Sequence, residues 1–233
     1  MANDQTLPQP AARAHPRLSA GELLVMAVVS AALFTATAMS WWPIPAIEVF
    51  GFVTGGICVW LVVRENLWNW PIGAANSVIF FVLFWQARLF ADAGLQILYF
   101  VLNVYGWFHW LRGGTNHGTL AISRAPRLQW LVIAALVPFA VLGLREGLIA
   151  VNGAAPLFDS ITAVLSLTAQ FMQTRKQIEH WLFWIAADLI YIPLYVARDL
   201  PLTAALYAVF LLMCLVGWRD WRRQMLRDSI VQI

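Results

Sequence analysis

One carboxylate, Asp188, stands in the middle of an apolar run over about residues 179–197. At mid-membrane depth an unpaired carboxylate is expensive, and an ionisable group there marks function by default. Around it, Trp181, Trp184, Asp188, Tyr191 and Tyr195 step by 3, 4, 3 and 4, which lines one face of a helix. This pattern can bind a flat ring, with indole faces stacking on it and Asp188 accepting hydrogen bonds. A cationic ring would gain from the aromatic faces and the carboxylate together. The alternative is that Asp188 pairs with a buried donor on another span and the aromatics are packing.

Two further stretches carry polar groups at matching depth. Gln96, Tyr99 and Asn103 fall at i, i+3 and i+7, again one face. Their amides offer donors and acceptors suited to ribose hydroxyls or a carboxamide. Interhelical hydrogen bonds of about 1 kcal/mol each are the competing use. Asn76 follows Gly73, Ala74 and Ala75, small residues that let helices approach closely. It lies one residue away from the position equivalent to Asp188 in the repeat described below, and could pair with it across a cavity.

Other reactive types read as bland. His109 and His180 fall at span ends, His15 and His117 in polar segments, and none has metal-ligand spacing. Asp92 and Asp159 lie near span ends. Cys58 and Cys214 sit inside apolar runs and read as small packing groups rather than a disulfide. Pro193 should kink its helix, and Gly106 and Gly217 mark close packing. There is no phosphate-binding glycine loop, no Ser-His-Asp arrangement and no metalloprotease pattern. Neither an enzyme nor a cofactor or metal site is expected.

These residues must be carried by membrane spans. The 233 residues are 61% hydrophobic and 12% charged, with a mean hydropathy of +0.70. Soluble chains are about half apolar and about a quarter charged. The 13 Trp cluster near the ends of apolar runs, as interfacial belts require. The excess of basic residues, net +3, does not gather with aromatics on a polar face, so nucleic acid is not an expected partner.

A span needs about 20 apolar residues, and eight can be read: about 20–41, 46–64, 68–86, 90–111, 128–146, 156–173, 179–197 and 202–221. A polar tail, 1–19, precedes them and a short tail, 222–233, follows. With both termini on one side, that side holds 12 of the 15 Lys and Arg, and the other only Arg88, Arg145 and Arg198. The positive-inside rule then puts both termini in the cytoplasm.

The spans also repeat. A shift of 111 positions brings Arg64 onto Arg175, Trp70 onto Trp181, Leu89 onto Leu200 and Leu95 onto Leu206. It also brings Gly106-Trp107 onto Gly217-Trp218, Trp110 onto Trp221, and Arg112 onto Arg223. The expected fold is therefore all-α and integral to the membrane, in a 1+3+1+3 order. An extra helix (20–41) precedes a three-helix repeat (46–111), a linker helix (128–146) and a second repeat (156–221). Two triplets separated by one span point the same way, a parallel repeat of the kind found in transporters.

The assembled motifs resemble the Pnu family of bacterial vitamin transporters, which includes the PnuC nicotinamide riboside transporters. The first copy carries Trp70-Pro71-Ile72-Gly73, Asn76, Leu89-Phe90-Ala91-Asp92, Leu95-Gln96 and Tyr105-Gly106-Trp107. The second carries Thr174-Arg175-Lys176, Glu179, Trp181-x-x-Trp184, Tyr195 and Leu206-Tyr207, and the likeness covers about residues 46–223. The resemblance implies a SWEET-like fold and facilitated diffusion of an unphosphorylated B-vitamin. Trp181-x-x-Trp184 looks like the family's substrate-stacking motif. Trapping by a cytoplasmic kinase and residence in a bacterial inner membrane are also implied. Nicotinamide riboside and thiamine, both cationic aromatics, suit Asp188; riboflavin is taken by related members. Proton-coupled transport through Asp188 stays open, as does assembly into a homo-oligomer.

Overall fold

The chain starts its first helix at a capping box. Ser19 Oγ accepts from the Glu22 amide at 3.2 Å, and Glu22 Oε2 accepts from the Ser19 amide at 2.7 Å. The computed structural model describes residues 18–39, 46–86, 90–114, 118–152, 155–197 and 201–231. Among them lie eight helices: α1 (Ala20–Ala38), α2 (Ala46–Val63), α3 (Asn69–Gln86), α4 (Phe90–Arg112), α5 (Arg127–Ala150), α6 (Pro156–Thr174), α7 (His180–Ala197) and α8 (Pro201–Val231). The N-terminal tail to residue 17, with His15, lies outside the described residues, as do Arg88, Leu89, Asn116, His117, Arg198 and Leu200. The side chain of Asp92 is outside them too.

Among the described residues, four stretches suit a membrane crossing by length and composition: Ala20–Ala38, Arg127–Ala150, His180–Ala197 and Thr203–Ser229. α1 and α5 bury none of their residues, so their apolar side chains are left for lipid. α6 does the opposite. It buries Ser160, Thr162, Ser166, Gln170, Gln173 and Thr174 against its neighbours. Polar groups at that depth must be satisfied inside the bundle, and this sets which face of α6 turns inward. Pro193 is accommodated within an unbroken α7. α8 has 31 residues. At 1.5 Å per residue it is about 46 Å long, against about 30 Å of hydrocarbon.

α3 packs on α4, α7 on α8, α2 on α3 and α6 on α7; α2 also meets α8, and α4 meets α6. α1 rests on α2 and α5 on α6. The 111-residue shift holds at the level of single bonds. Glu65 and Lys176, equivalent positions, both adopt left-handed backbone, with φ of 50° and 54°. In the two turns, Glu65 N to Val62 O matches Lys176 N to Gln173 O, both 2.9 Å. Asn66 N to Leu61 O (2.8 Å) matches Gln177 N to Met172 O (3.1 Å).

Four tryptophans fix how the helices meet. Trp70 and Trp110 cross edge to face at 5.2 Å and 83°, and Trp181 and Trp221 at 5.6 Å and 85°. A Cβ on Gly106 would overlap the Trp70 ring, and one on Gly217 the Trp181 ring, so each glycine is the hollow that seats an indole. α4 then reaches across to α6, and α8 to α2. Trp110 Nε1 donates to Gln173 O at 2.9 Å, and Trp221 Nε1 to Val62 O at 3.2 Å. Donors and acceptors are both equivalent under the shift.

Two side chains differ from their sequence reading. His180 is not at a wet interface: it is fully buried, with Trp181 at 4.4 Å and Trp221 at 4.8 Å, and its Nδ1 lies 2.7 Å from Gln177 O. Lys176, counted as a membrane-edge charge, is 4% exposed. Its Nζ pairs with Glu65 Oε2 at 2.8 Å, donates to Leu120 O at 3.0 Å, and lies 4.7 Å from the Trp110 ring centroid. The segment 118–126 helps bury it by crossing the α6–α7 turn. Ser123 N donates to Lys176 O at 3.0 Å, and Ile178 N to Ser123 O at 2.9 Å.

Candidate functional site

A cavity of about 420 Å³ lies between α2, α3, α4, α6, α7 and α8. That is within the usual range for a small-molecule site, about 300–1,000 Å³. Its wall has two characters. α3, α4 and α6 give a polar side with Asn76, Ser77, Gln96, Asn103, Gln170 and Gln173. α7 and α8 give an aromatic side with Trp184, Tyr191, Tyr207 and Phe210, around Asp188.

The polar side is wired. Gln170 Nε2 donates to Asn103 Oδ1 at 3.1 Å, Asn103 Nδ2 to Ser77 Oγ at 3.5 Å, and Ser77 Oγ to Gly73 O at 3.0 Å. A Cβ at Gly73 would sit 2.8 Å from Asn103 Oδ1, so the missing side chain makes room for the Asn103 amide. Asn76 Oδ1 is buried with no partner. A bound hydroxyl or N–H would satisfy it. On the aromatic side, Trp184 Nε1 donates to Gln173 Oε1 at 3.2 Å, fixing the tilt of the ring. Tyr191 and Tyr207 lie 4.6 Å apart between ring centroids.

Asp188 is 5% exposed. Its close neighbour is Cys214 Sγ, 3.7 Å from Oδ2, a weak donor. None of the ion pairs among the described residues includes it. The buried cationic partner that would make it a packing charge is therefore absent among the described residues.

Of the nine residues singled out in the sequence, eight border this cavity: Asn76, Gln96, Tyr99, Asn103, Trp181, Trp184, Asp188 and Tyr191. Two of the nine have a larger structural share than expected. Trp181 is 1% exposed and sits mostly in the tryptophan core, so Trp184 offers the wider ring surface. Tyr195 stacks on Tyr191 at 5.8 Å and Tyr207 at 5.2 Å, outside the lining itself. Asn76 stands one residue from the place that matches Asp188. Ser77 takes the place matching Asp188, and Asn103 that matching Cys214, so the Asn103–Ser77 contact at 3.5 Å mirrors Cys214–Asp188 at 3.7 Å.

Sequence reasoning missed the α6 contribution. Ser166, Gln170 and Gln173 step by 4 and 3 and would have been found by the test applied to α7. Under the shift they match Gly55, Val59 and Val62 of α2, which also line the cavity. The missed aromatics Tyr207 and Phe210 match Gln96 and Tyr99 in the same way. The cavity thus lies between α2–α4 and α6–α8, with positions equivalent under the shift filled by different chemistry.

Comparison with known proteins agrees with this architecture. The chain is 28% identical over 201 residues to the nicotinamide riboside transporter PnuC of Escherichia coli (strain K12), covering 75% of this chain and 84% of that protein. It is 28% identical over 187 residues to the riboflavin/roseoflavin transporter RibM of Streptomyces davaonensis, covering 78% and 87%. The crystal structure of the vitamin B3 transporter PnuC superposes with a TM-score of 0.66 at 23% identity, over 89% of this chain and 92% of that one, a likeness of fold. The family model described as nicotinamide mononucleotide transporter matches residues 45–223, the whole of the stretch that builds the cavity. The chain belongs to that family, and is a multi-pass membrane transporter rather than an enzyme.

Proposed function

We propose that this chain carries an unphosphorylated, flat B-vitamin across a bacterial inner membrane by facilitated diffusion, with nicotinamide riboside as the first candidate. The observation that carries this reading is the charge of the cavity wall: among the described residues it holds Asp188 and no Lys, Arg or His. A phosphate there would meet a carboxylate and no cation, whereas recognition of phosphate calls for charge-assisted donors. A pyridinium ring would meet the Trp184 face and the Asp188 carboxylate at once. The wall therefore favours the nucleoside over the mononucleotide of the family description, in keeping with the name of the E. coli relative. Amides of Asn76, Gln96, Asn103, Gln170 and Gln173 suit ribose hydroxyls and a carboxamide.

Access alternates as two like-oriented trios, α2–α4 and α6–α8, rock about the site, with α5 as the link and α1 as an addition. The matched turns, seated indoles and reciprocal indole bonds support that relation. The charge asymmetry supports cytoplasmic termini. Facilitated diffusion only equilibrates, so net uptake depends on a cytoplasmic kinase that removes the free vitamin. Riboflavin is a second reading, favoured by the aromatic surface of Tyr191, Tyr207 and Phe210 beyond Trp184 and by the Streptomyces relative. Thiamine, and proton-coupled carriage through Asp188, complete the alternatives.

A binding titration of the purified protein against nicotinamide riboside, nicotinamide mononucleotide, thiamine and riboflavin tests the reading. Nicotinamide riboside should bind best and the mononucleotide least. Tighter binding of the mononucleotide would overturn it. In kinase-free vesicles a proton ionophore should leave equilibration intact; loss of accumulation would favour proton coupling.

A further inference from the structure

The central cavity is not the only concave feature of the bundle. A second, of about 300 Å³, lies at the end of α2 and α8, bordered by Arg64, Arg223 and Arg227 together with Glu65, Asp220 and Trp221. Arg223 and Arg227 are one turn apart on the same face of α8, both exposed, and neither is in an ion pair among the described residues. The two bordering carboxylates are held from outside: Glu65 by Lys176 at 2.8 Å, and Asp220 by Arg219 at 3.2 Å. Arg64 is in turn paired with Glu22 at 3.1 Å, so what remains facing the hollow is the guanidinium pair of Arg223 and Arg227.

The pseudo-symmetry explains why the hollow exists. Trp221 and Glu65 are equivalent to Trp110 and Lys176. In that other copy the segment 118–126 crosses the place: Leu120 N donates to Trp110 O at 3.2 Å, and Leu120 O accepts from Lys176 Nζ at 3.0 Å. On the Trp221 side α8 continues as helix to Val231 and brings Arg223 and Arg227 alongside Arg64. One copy thus fills its niche with its own backbone. The other leaves a niche of the same origin lined with arginine.

We propose that this α2–α8 niche is a binding site for a phosphate group, separate from the transport cavity. Planar guanidinium forks match phosphate oxygens, and Arg223 and Arg227, with the Glu22-paired Arg64 beside them, favour a phosphoryl group over a single carboxylate. The phosphate belongs either to a soluble phosphorylated compound or to an anionic lipid headgroup, since α8 is longer than the apolar layer is thick and Arg223 and Arg227 lie in its last turns. Occupancy bears on the joint between the two triplets. Glu65 and Trp221 border the niche, and the same two residues make the Lys176 pair and the bond to Val62 O.

The test uses the full chain in a non-ionic detergent and reads its melting temperature. One arm titrates inorganic phosphate with potassium chloride holding ionic strength constant. The other adds phosphatidylglycerol, with phosphatidylcholine at equal mole fraction as control. At least one arm should raise the melting temperature, because a ligand that binds the folded state stabilises it. Arg223→Gln with Arg227→Gln should weaken the apparent affinity by about tenfold or more, while Arg222→Gln, outside the niche, should not. A response to phosphate assigns a soluble ligand, one to phosphatidylglycerol alone a headgroup. No rise in either arm overturns the proposal, as does an unchanged response in the double variant. If the double variant does not fold, Arg227→Gln alone decides, with a smaller loss expected and wild-type affinity counting against the site.

Discussion

Replacing Asp188 with Asn is the sharpest test of how the cavity reads charge. The change keeps size and hydrogen-bonding capacity and removes one negative charge. Trp184 and Asp188 are one turn apart on α7, which puts their Cβ atoms about 5–6 Å apart. A cationic ring stacked on Trp184 therefore has its charge about 6 Å from the carboxylate. With an effective dielectric of about 20 the attraction is about 3 kcal/mol. Part of it is offset by what the ring loses in leaving water, so a net loss of about 2 kcal/mol is expected, about a thirtyfold rise in Kd. Asp188 has no cationic partner among the described residues that the substitution would strand. Calorimetric titration of wild type and variant with nicotinamide riboside, and with its uncharged dihydro form, separates the cases. The cation should lose about thirtyfold and the neutral ring less than about threefold. Equal losses for both, or no loss for the cation, would refute the role given to the carboxylate.

Trp184→Ala should weaken binding by more than about 1 kcal/mol, seen in the same titration, because it removes the stacking face. Gly73→Ala should cost binding more than stability: the added Cβ pushes on Asn103 Oδ1, which Gln170 holds at 3.1 Å. Gly217→Ala should do the reverse, lowering the melting temperature by the equivalent of about 1–3 kcal/mol through overlap with the Trp181 ring. Lys176→Met strands Glu65; with the Glu65 side chain 20% exposed, a loss of about 2–3 kcal/mol is expected, below the range for a fully buried pair. Adding Glu65→Leu should recover much of that loss, read as a melting temperature.

The helices were legible because each apolar run is bounded by prolines, glycines or charges, and the charge asymmetry restricts the count. The α7 face was legible because Trp, Asp and Tyr stand out at helical spacing. Its α6 counterpart was not, since Ser and Gln are common helix-surface residues and only their buried setting gives them meaning. Burial also overturned the readings of His180 and Lys176. Both sit at the edge of an apolar run, where sequence position points to water. The 118–126 segment and the tryptophan cluster cover them instead, through contacts between residues far apart in the chain.

The reciprocal indole bonds say something about how such a molecule could arise. A single trio on its own would leave one indole N–H unmet within a lipid environment, while two identical trios could satisfy each other. A half-size ancestor working as a homodimer would meet that demand, but its chamber would have had matching walls. A vitamin has no twofold axis. Fusion into one chain would let the frame stay paired while Ser77 and Asp188, or Val59 and Gln170, came to differ, so that the chamber could lose its symmetry.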